Sequence, residues 1–221
     1  RARGHQARGE IDVARAIYDE ILTQSPDEPQ ALCLRGLIHR DQGDIAAAEK
    51  DFRHAVKASP RMPLTYQLLG DLLHNAKHLV MAADIYEDGL RCDPDNVPIL
   101  GNLAHTRLGL GHFEACLALS RRMVALDPGQ QEGWFRIGAA LCQLGRFEEA
   151  PAPLGRAISL KADCLRSRAA IFVAWHRLDN TDERAAALAA ASPYIEAQLD
   201  YLTQFNEVLA WLKCPELAFP L

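Results

Sequence analysis

The chain has 221 residues, 49% of them hydrophobic and 24% charged, with a formal net charge of −5, the balance of a globular protein with one large or two ordinary domains. Nineteen of the 24 basic residues are Arg, but they are scattered, and the absence of a long Lys/Arg run argues against an electrostatic nucleic-acid binder. No apolar run approaches the roughly 18 to 20 residues that span a bilayer, and Arg1 to His5 have no apolar stretch behind their charges as a signal peptide does, so a chain that does not insert in membranes, working in the cytoplasm, is expected.

In chain order the sequence reads as helix, short turn, helix, short turn. Residues 1–28 supply a curtailed first helix and a full second helix. Residues 29–62 form the first full unit: a helix over 29–42, a turn at Gly43 and Asp44, and a helix over 45–58 that Pro60 prevents from continuing. The next unit, 63–96, turns at Asn75 to Lys77, and the unit 97–130 turns at Gly109 to Gly111. A fourth full unit covers 131–164. Afterwards the pattern decays, with Ala162 in place of Pro and Asp179 in place of the turn Gly, so that 165–191 is a degenerate unit with helices over 165–178 and 181–191. Ser192 and Pro193 then read as an N-cap and first helical residue. They open a capping helix over 192–213 whose apolar stripe is Ile195, Leu199, Leu202, Phe205, Leu209 and Leu212. Residues 214–221, with Pro215 and Pro220, form an exit segment. No sustained two-residue alternation suggests a strand, and the expected fold class is all-α.

The units repeat every 34 residues. Ala14, Ala48, Ala82, Cys116 and Ala150 are small; Tyr18, Phe52 and Tyr86 follow four residues later, with Ser120 and Leu154 in the remaining copies. Pro26, Pro60, Pro94 and Pro128 keep the same step, as do Gly9, Gly43, Gly111 and Gly145 with Lys77 as the exception, and Gly36, Gly70 and Gly138 with Ala104 as the substitute. Helices that cross closely need Gly or Ala at the crossing and a bulky group beside it, so Gly36 and Ala48 are expected to approach with Phe52 filling the gap. A helix pair cannot bury its apolar face alone and must stack on the next, which makes a solenoid.

On these residues the chain resembles the tetratricopeptide repeat family. The fullest first half of the family pattern is Trp134, Ile137, Gly138, Leu141, Gly145 and Ala150, and the fullest second half is Gly43, Ala48, Phe52, Ala55 and Pro60. The resemblance covers about residues 1–162. It implies a right-handed α-α superhelix whose concave face, lined by the first helices, holds an extended peptide or a partner's helix.

No catalytic signature is present: there is no phosphate-binding Gly-rich loop and no Gly-x-Ser-x-Gly elbow. Cys116 lies beside His112 but fills a small packing position. The six cysteines, Cys33, Cys92, Cys116, Cys142, Cys164 and Cys214, show no Cys-x-x-Cys and no zinc-ligand spacing, and read as small core or groove residues in a reducing compartment. His74 and His78 flank a turn and lack a third metal ligand. No enzyme activity, cofactor or metal is therefore expected of this chain.

Groove-facing positions, counted along each first helix, are Gln30, Cys33, Leu37 and Arg40; Gln67, Asp71, His74 and Asn75; Asn102 and His105; and Glu132, Phe135, Arg136 and Gln143. Those nominated for peptide or protein contact are Arg40, Gln67, Asp71, His74, Asn75, Asn102, His105, Phe135, Arg136 and Gln143. Chaperone-binding members of the family clamp a C-terminal carboxylate with Lys, Asn, Asn, Lys and Arg; here Gln67, Asp71, Asn102, Glu132 and Arg136 stand there, so only Asn102 and Arg136 agree. The superhelix of O-linked N-acetylglucosamine transferases carries an Asn ladder; Asn102 sits at a rung, and Leu34, Leu68 and Arg136 replace the others. The leading expectation is a non-catalytic peptide- or protein-binding module. Two alternatives are the substrate-recognition part of a larger enzyme, such as a bacterial protein glycosyltransferase with its catalytic domain after Leu221, and a homo-oligomeric scaffold using Tyr201, Trp211 and Phe219 of the C-terminal segment.

Overall fold

The computed structural model describes residues 10–197 and 199–218, the side chains of 194–202 excepted. Gly9, Phe219 and the side chains of Ile195, Leu199, Tyr201 and Leu202 therefore lie outside the described residues. Among the described residues there are twelve α-helices, two short 3-10 turns and no strand. The chain divides into two compact units, 1–106 and 107–221.

The first unit holds α1 (Ile11–Gln24), α2 (Pro29–Asp41), α3 (Ile45–Ala58), α4 (Pro63–Asn75), α5 (Leu79–Cys92) and most of α6 (Val97–Gly109). Local chemistry sets the ends. Pro29 and Pro63 open α2 and α4 at positions where a missing N–H costs nothing, and the Asp44 carboxylate caps α3 by accepting from the Ala47 N–H at 3.0 Å. Gly43 has φ +83°, the left-handed conformation glycine adopts without strain. Lys77, the exception to the glycine register, takes the same conformation at φ +65°, so the turn is dictated by the helices it joins and the side chain yields to it. Ser25 and Ser59 end their helices in a more extended conformation, pushed there by Pro26 and Pro60.

Packing within the unit follows the small-large register. A Cβ on Gly36 would lie 2.6 Å from the Phe52 ring, and one on Gly70 would lie 2.4 Å from the Tyr86 ring. Each glycine thus admits an aromatic ring to the crossing of its helix pair. Ala14, Ala48 and Ala82 are fully buried, as is Phe52, with Tyr18 and Tyr86 nearly so. Arg35 on α2 adds a polar clamp: Nε and Nη2 donate to the two carboxylate oxygens of buried Asp51 on α3 at 2.8 and 2.6 Å, and Nη1 donates to Asp19 on α1 at 2.8 Å. Three successive helices are tied through one guanidinium, whose planar fork suits this geometry.

The second unit holds α7 (Phe113–Leu126), α8 (Gln131–Gln143), α9 (Pro151–Leu160), α10 (Leu165–Arg177), α11 (Thr181–Ala197) and α12 (Leu199–Trp211). Gly138 accommodates Leu154, whose Cγ would lie 2.3 Å from an added Cβ, so Leu performs the aromatic's task. Pro151 splits the second helix of this pair. Phe147–Glu149 makes a 3-10 turn and the α-helix restarts at Pro151, because a proline within the helix has no N–H to offer the preceding turn. Lys161 still ends α9 in extended conformation although Ala162 replaces proline, and Asp179 takes the turn glycine's place at φ +55°.

One local expectation is corrected. Ser192 and Pro193 do not start a helix: α11 continues through Pro193 to Ala197, and the Ser192 Oγ donates backward to the Leu188 carbonyl at 3.1 Å. The Ala-rich run from Ala185 to Ala191 propagates helix strongly enough to carry the proline, and the serine bonds within the helix instead of capping it. Phe205 and Leu209 on α12 and Leu212 just after it are buried, with the Phe205 ring 6.1 Å from that of Phe172 on α10. Cys214 is fully buried, so the chain stays tied down beyond α12. No helix among the described residues is long and apolar enough to cross a membrane.

Candidate functional site

In the first unit, side chains from three successive first helices meet. Arg40 (α2), Asp71, His74 and Asn75 (α4), and Asn102 and His105 (α6) line a cavity of about 270 Å³ together with Tyr86. These are six of the ten nominated residues. Gln67 is half-buried one turn before Asp71 and is outside the lining.

Asp71 anchors the arrangement. Its Oδ1 accepts from the Tyr86 hydroxyl at 2.6 Å and from the Asn102 Nδ2 at 2.7 Å. Burial raises the Asp71 pKa above its ordinary value, although both donors and the nearby His74 and Arg40 pull against that rise. Burial, and then the bond to this carboxylate, push the phenol of Tyr86 well above the usual tyrosine range. Arg40 turns its Nε and Nη2 to Asp41 Oδ1 at 2.9 and 2.7 Å.

His74 is fixed by a second chain of bonds. The Thr106 hydroxyl, fully buried, donates its single proton to the Asn102 carbonyl at 2.8 Å. At the His74 Nδ1, 2.9 Å away, the same oxygen must therefore accept. That assigns the proton to Nδ1 and leaves Nε2 with a lone pair. Burial and the nearby Lys77 lower the His74 pKa, which keeps the ring neutral at pH 7. The His105 ring lies against it, centroids 4.8 Å apart.

Two participants, Tyr86 and Thr106, escape a reading of groove positions. Tyr86 belongs to the packing register, and its signal is a tyrosine where the preceding unit has Phe52, with Asp71 directly after the close-approach Gly70. Thr106 sits one turn after Asn102 and shows only as a buried polar residue.

The other candidates belong to the second unit or to the rim of α2. Phe135, expected on the open face, is 5% exposed; the Arg166 guanidinium covers its ring at 4.8 Å. Arg166 also donates to Glu132 Oε1, while Arg136 approaches Glu132 Oε2 at 3.7 Å. Arg166 too escapes the groove reading, although it stands 34 residues after Glu132. Arg136 is largely covered, and burial lowers its pKa against the pull of Glu132. The Gln143 Nε2 donates to the Trp211 carbonyl at 2.9 Å, joining α8 to the end of α12. On α2, Gln30 is exposed and Leu37 half-buried, but Cys33 is buried in the core, where burial and Asp51 push its thiol up to about 11. Five of the six free thiols are buried; Cys92, expected among small core or groove residues, is exposed at the end of α5, with its thiol on the Pro60 carbonyl at 3.1 Å. Among the described residues no group of three or more His, Cys, Asp or Glu is placed to hold a metal ion.

Comparison with known proteins agrees with this architecture. A solved structure of YrrB, a tetratricopeptide repeat protein with an unusual peptide-binding site, superposes with a TM-score of 0.74 at 15% identity, covering 85% of this chain and 96% of that one. A structure of MamA gives 0.71 at 19% identity, covering 75% and 97%. By sequence, the chain is 28% identical over 171 residues to the DnaJ homolog subfamily C member 7 homolog of Schizosaccharomyces pombe, covering 70% of this chain and 36% of that protein. It is 26% identical over 125 residues to the N-terminal acetyltransferase A complex auxiliary subunit NAA15 of Arabidopsis thaliana, covering 57% and 14%. The chain thus spans well under half the length of these relatives. The tetratricopeptide repeat family model matches residues 1–63 and 102–163, more than half of the sequence, and the chain belongs to that family.

Proposed function

We propose that this chain is a non-catalytic protein-interaction module that holds an extended peptide, or an extended segment of a partner protein, on the face built by its first helices. The observation that carries the reading is the cavity at Asp71, His74 and Asn102. Packing needs no polar groups there, yet three successive first helices contribute Arg40, Asp71 with His74, and Asn102, and bonds to Tyr86, to Thr106 and to one another hold the last three oriented before any ligand arrives. Preorganised polar groups reduce the entropy lost on binding. YrrB, of similar fold, has a peptide-binding site, which is in keeping with a peptide ligand here. The six free thiols suit a reducing compartment, and the cytoplasm is the proposed setting.

The scaffold alternative is less well supported. Phe205 and Leu209 of α12 and Leu212 just after it are spent on internal burial, which leaves Trp211 as the exposed large apolar side chain of α12 among the described ones. The enzyme-associated alternative rests on the single Asn102 rung. The test is a pull-down from the source cell with wild-type chain and with Asn102→Ala and Arg136→Ala, singly and together. Loss of a captured partner with Asn102→Ala supports peptide recognition at this cavity, and equal capture by all forms overturns it.

A further inference from the structure

The bonds already made at the cavity leave a particular set of groups for a ligand. Both donors to Asp71 land on Oδ1, so Oδ2 is the carboxylate oxygen open to a further bond. Asn102 commits one N–H of its Nδ2 to Asp71, and its amide still offers the Oδ1 acceptor and a second N–H. His74 carries its proton on Nδ1, facing Thr106, and presents the lone pair of Nε2. The three central residues therefore all present acceptors. A carboxylate or phosphate entering here meets three acceptors and the charge of Asp71, against one remaining N–H of Asn102.

A donor-rich cation fits these acceptors. Asp71 is half-buried and its two donors are neutral, so its charge is only partly compensated, in line with its raised proton affinity. Arg40, the cation of the lining, directs two of its donors at Asp41, while its charge also acts on Asp71. The volume of about 270 Å³ is just below the range for small-molecule pockets and suits a single side chain. A guanidinium carries five N–H donors in one plane and can meet several separate acceptors at once, whereas an ammonium has three on one atom. The rings of His74 and His105, centroids 4.8 Å apart and tilted by 41°, add aromatic groups to the lining.

We propose that this cavity is the specificity pocket of the peptide-binding face and receives a basic side chain of the ligand, arginine in preference to lysine, on Asp71 Oδ2, Asn102 Oδ1 and His74 Nε2. The proposal rests on the reading of this face as a peptide site and names the residue class that it selects.

The test uses the full 221-residue chain, immobilised, and acetylated, amidated random decapeptide libraries with arginine, lysine, citrulline, glutamate or leucine fixed at the central position. Citrulline keeps the shape of arginine without its charge. The expected result is retention of the arginine library about tenfold above citrulline, with lysine between them and glutamate lowest. Asp71→Asn is expected to abolish the arginine preference, so that the arginine and citrulline libraries are retained alike. Equal retention of arginine and citrulline on the wild-type chain overturns the proposal without any variant, and so does an arginine preference that survives Asp71→Asn. If the libraries bind without a preference and Asn102→Ala weakens all of them, the peptide site stands and the basic-residue pocket falls. If no library is retained, both fall.

Discussion

Tyr86 and Asp71 stand on different helices of one pair, and the phenol donates to the carboxylate at 2.6 Å. One tyrosine thereby does two things: its ring fills the space that Gly70 leaves open, and its hydroxyl orients the acidic group of the cavity. Tyr86→Phe is expected to keep the packing and lose about 2 kcal/mol, the scale of a hydrogen bond to a charged acceptor, as measured by urea denaturation at pH 7.

The sign for Asp71 is opposite to that of a salt-bridged carboxylate. Its pKa is raised in the folded state, so stability is greatest while it is protonated, falls as pH rises from the ordinary Asp value through the folded one, and stays lower above. Asp71→Asn should therefore melt at or above the wild-type temperature at pH 7, with the difference closing as pH falls towards about 4. A variant less stable than wild type at pH 7 would show that ionised Asp71 stabilises the fold.

For His74 the folded pKa is lowered, so the neutral ring is the stabilising form. That stability is present above the ordinary histidine value of about 6.5 and is lost as pH drops below it. Long-range proton–nitrogen NMR spectra should show the Nδ1–H tautomer at pH 7 and a midpoint below 6.5. Thr106→Val should remove the tautomer preference, because the accepting oxygen is gone.

Two glycines on helices should respond in opposite directions to alanine. Gly70→Ala places a Cβ 2.4 Å from the Tyr86 ring, and overpacking of this kind costs roughly 1–3 kcal/mol. Gly155, within α9, has nothing within 4 Å of an added Cβ, so Gly155→Ala should stabilise by about 0.4–1 kcal/mol through the unfolded chain. Chemical denaturation of both variants separates a packing glycine from a dispensable one.

Arg35→Met is expected to cost about 3 kcal/mol, because it strands the buried Asp51 without its guanidinium. Adding Asp51→Asn should recover part of that loss, since the stranded charge is removed. A double-mutant cycle in urea denaturation measures the coupling, and additive losses would mean that Arg35 and Asp51 act independently.

Helices, turns and the small-large register were legible in the sequence because each is local or strictly periodic. The prolines ending the second helices act within a few residues, and the 34-residue step sets Gly36 against Phe52 and Gly70 against Tyr86 without knowledge of the rest. The side of each first helix that carries Asp71, His74, Asn102 and Arg40 was legible too, since helical spacing fixes a face. Where a rule met a competing local force, as at Pro193, the reading failed: a long alanine run outweighed one proline. Only the tertiary structure decided which groups bond to which. Tyr86 reaching Asp71 and Thr106 setting the proton of His74 depend on distances between helices, and Phe135 beneath Arg166 depends on a neighbour 31 residues away. Sequence determined which side chains face the same way, whereas packing determined which donors and acceptors were already used and so what chemistry is left for a ligand.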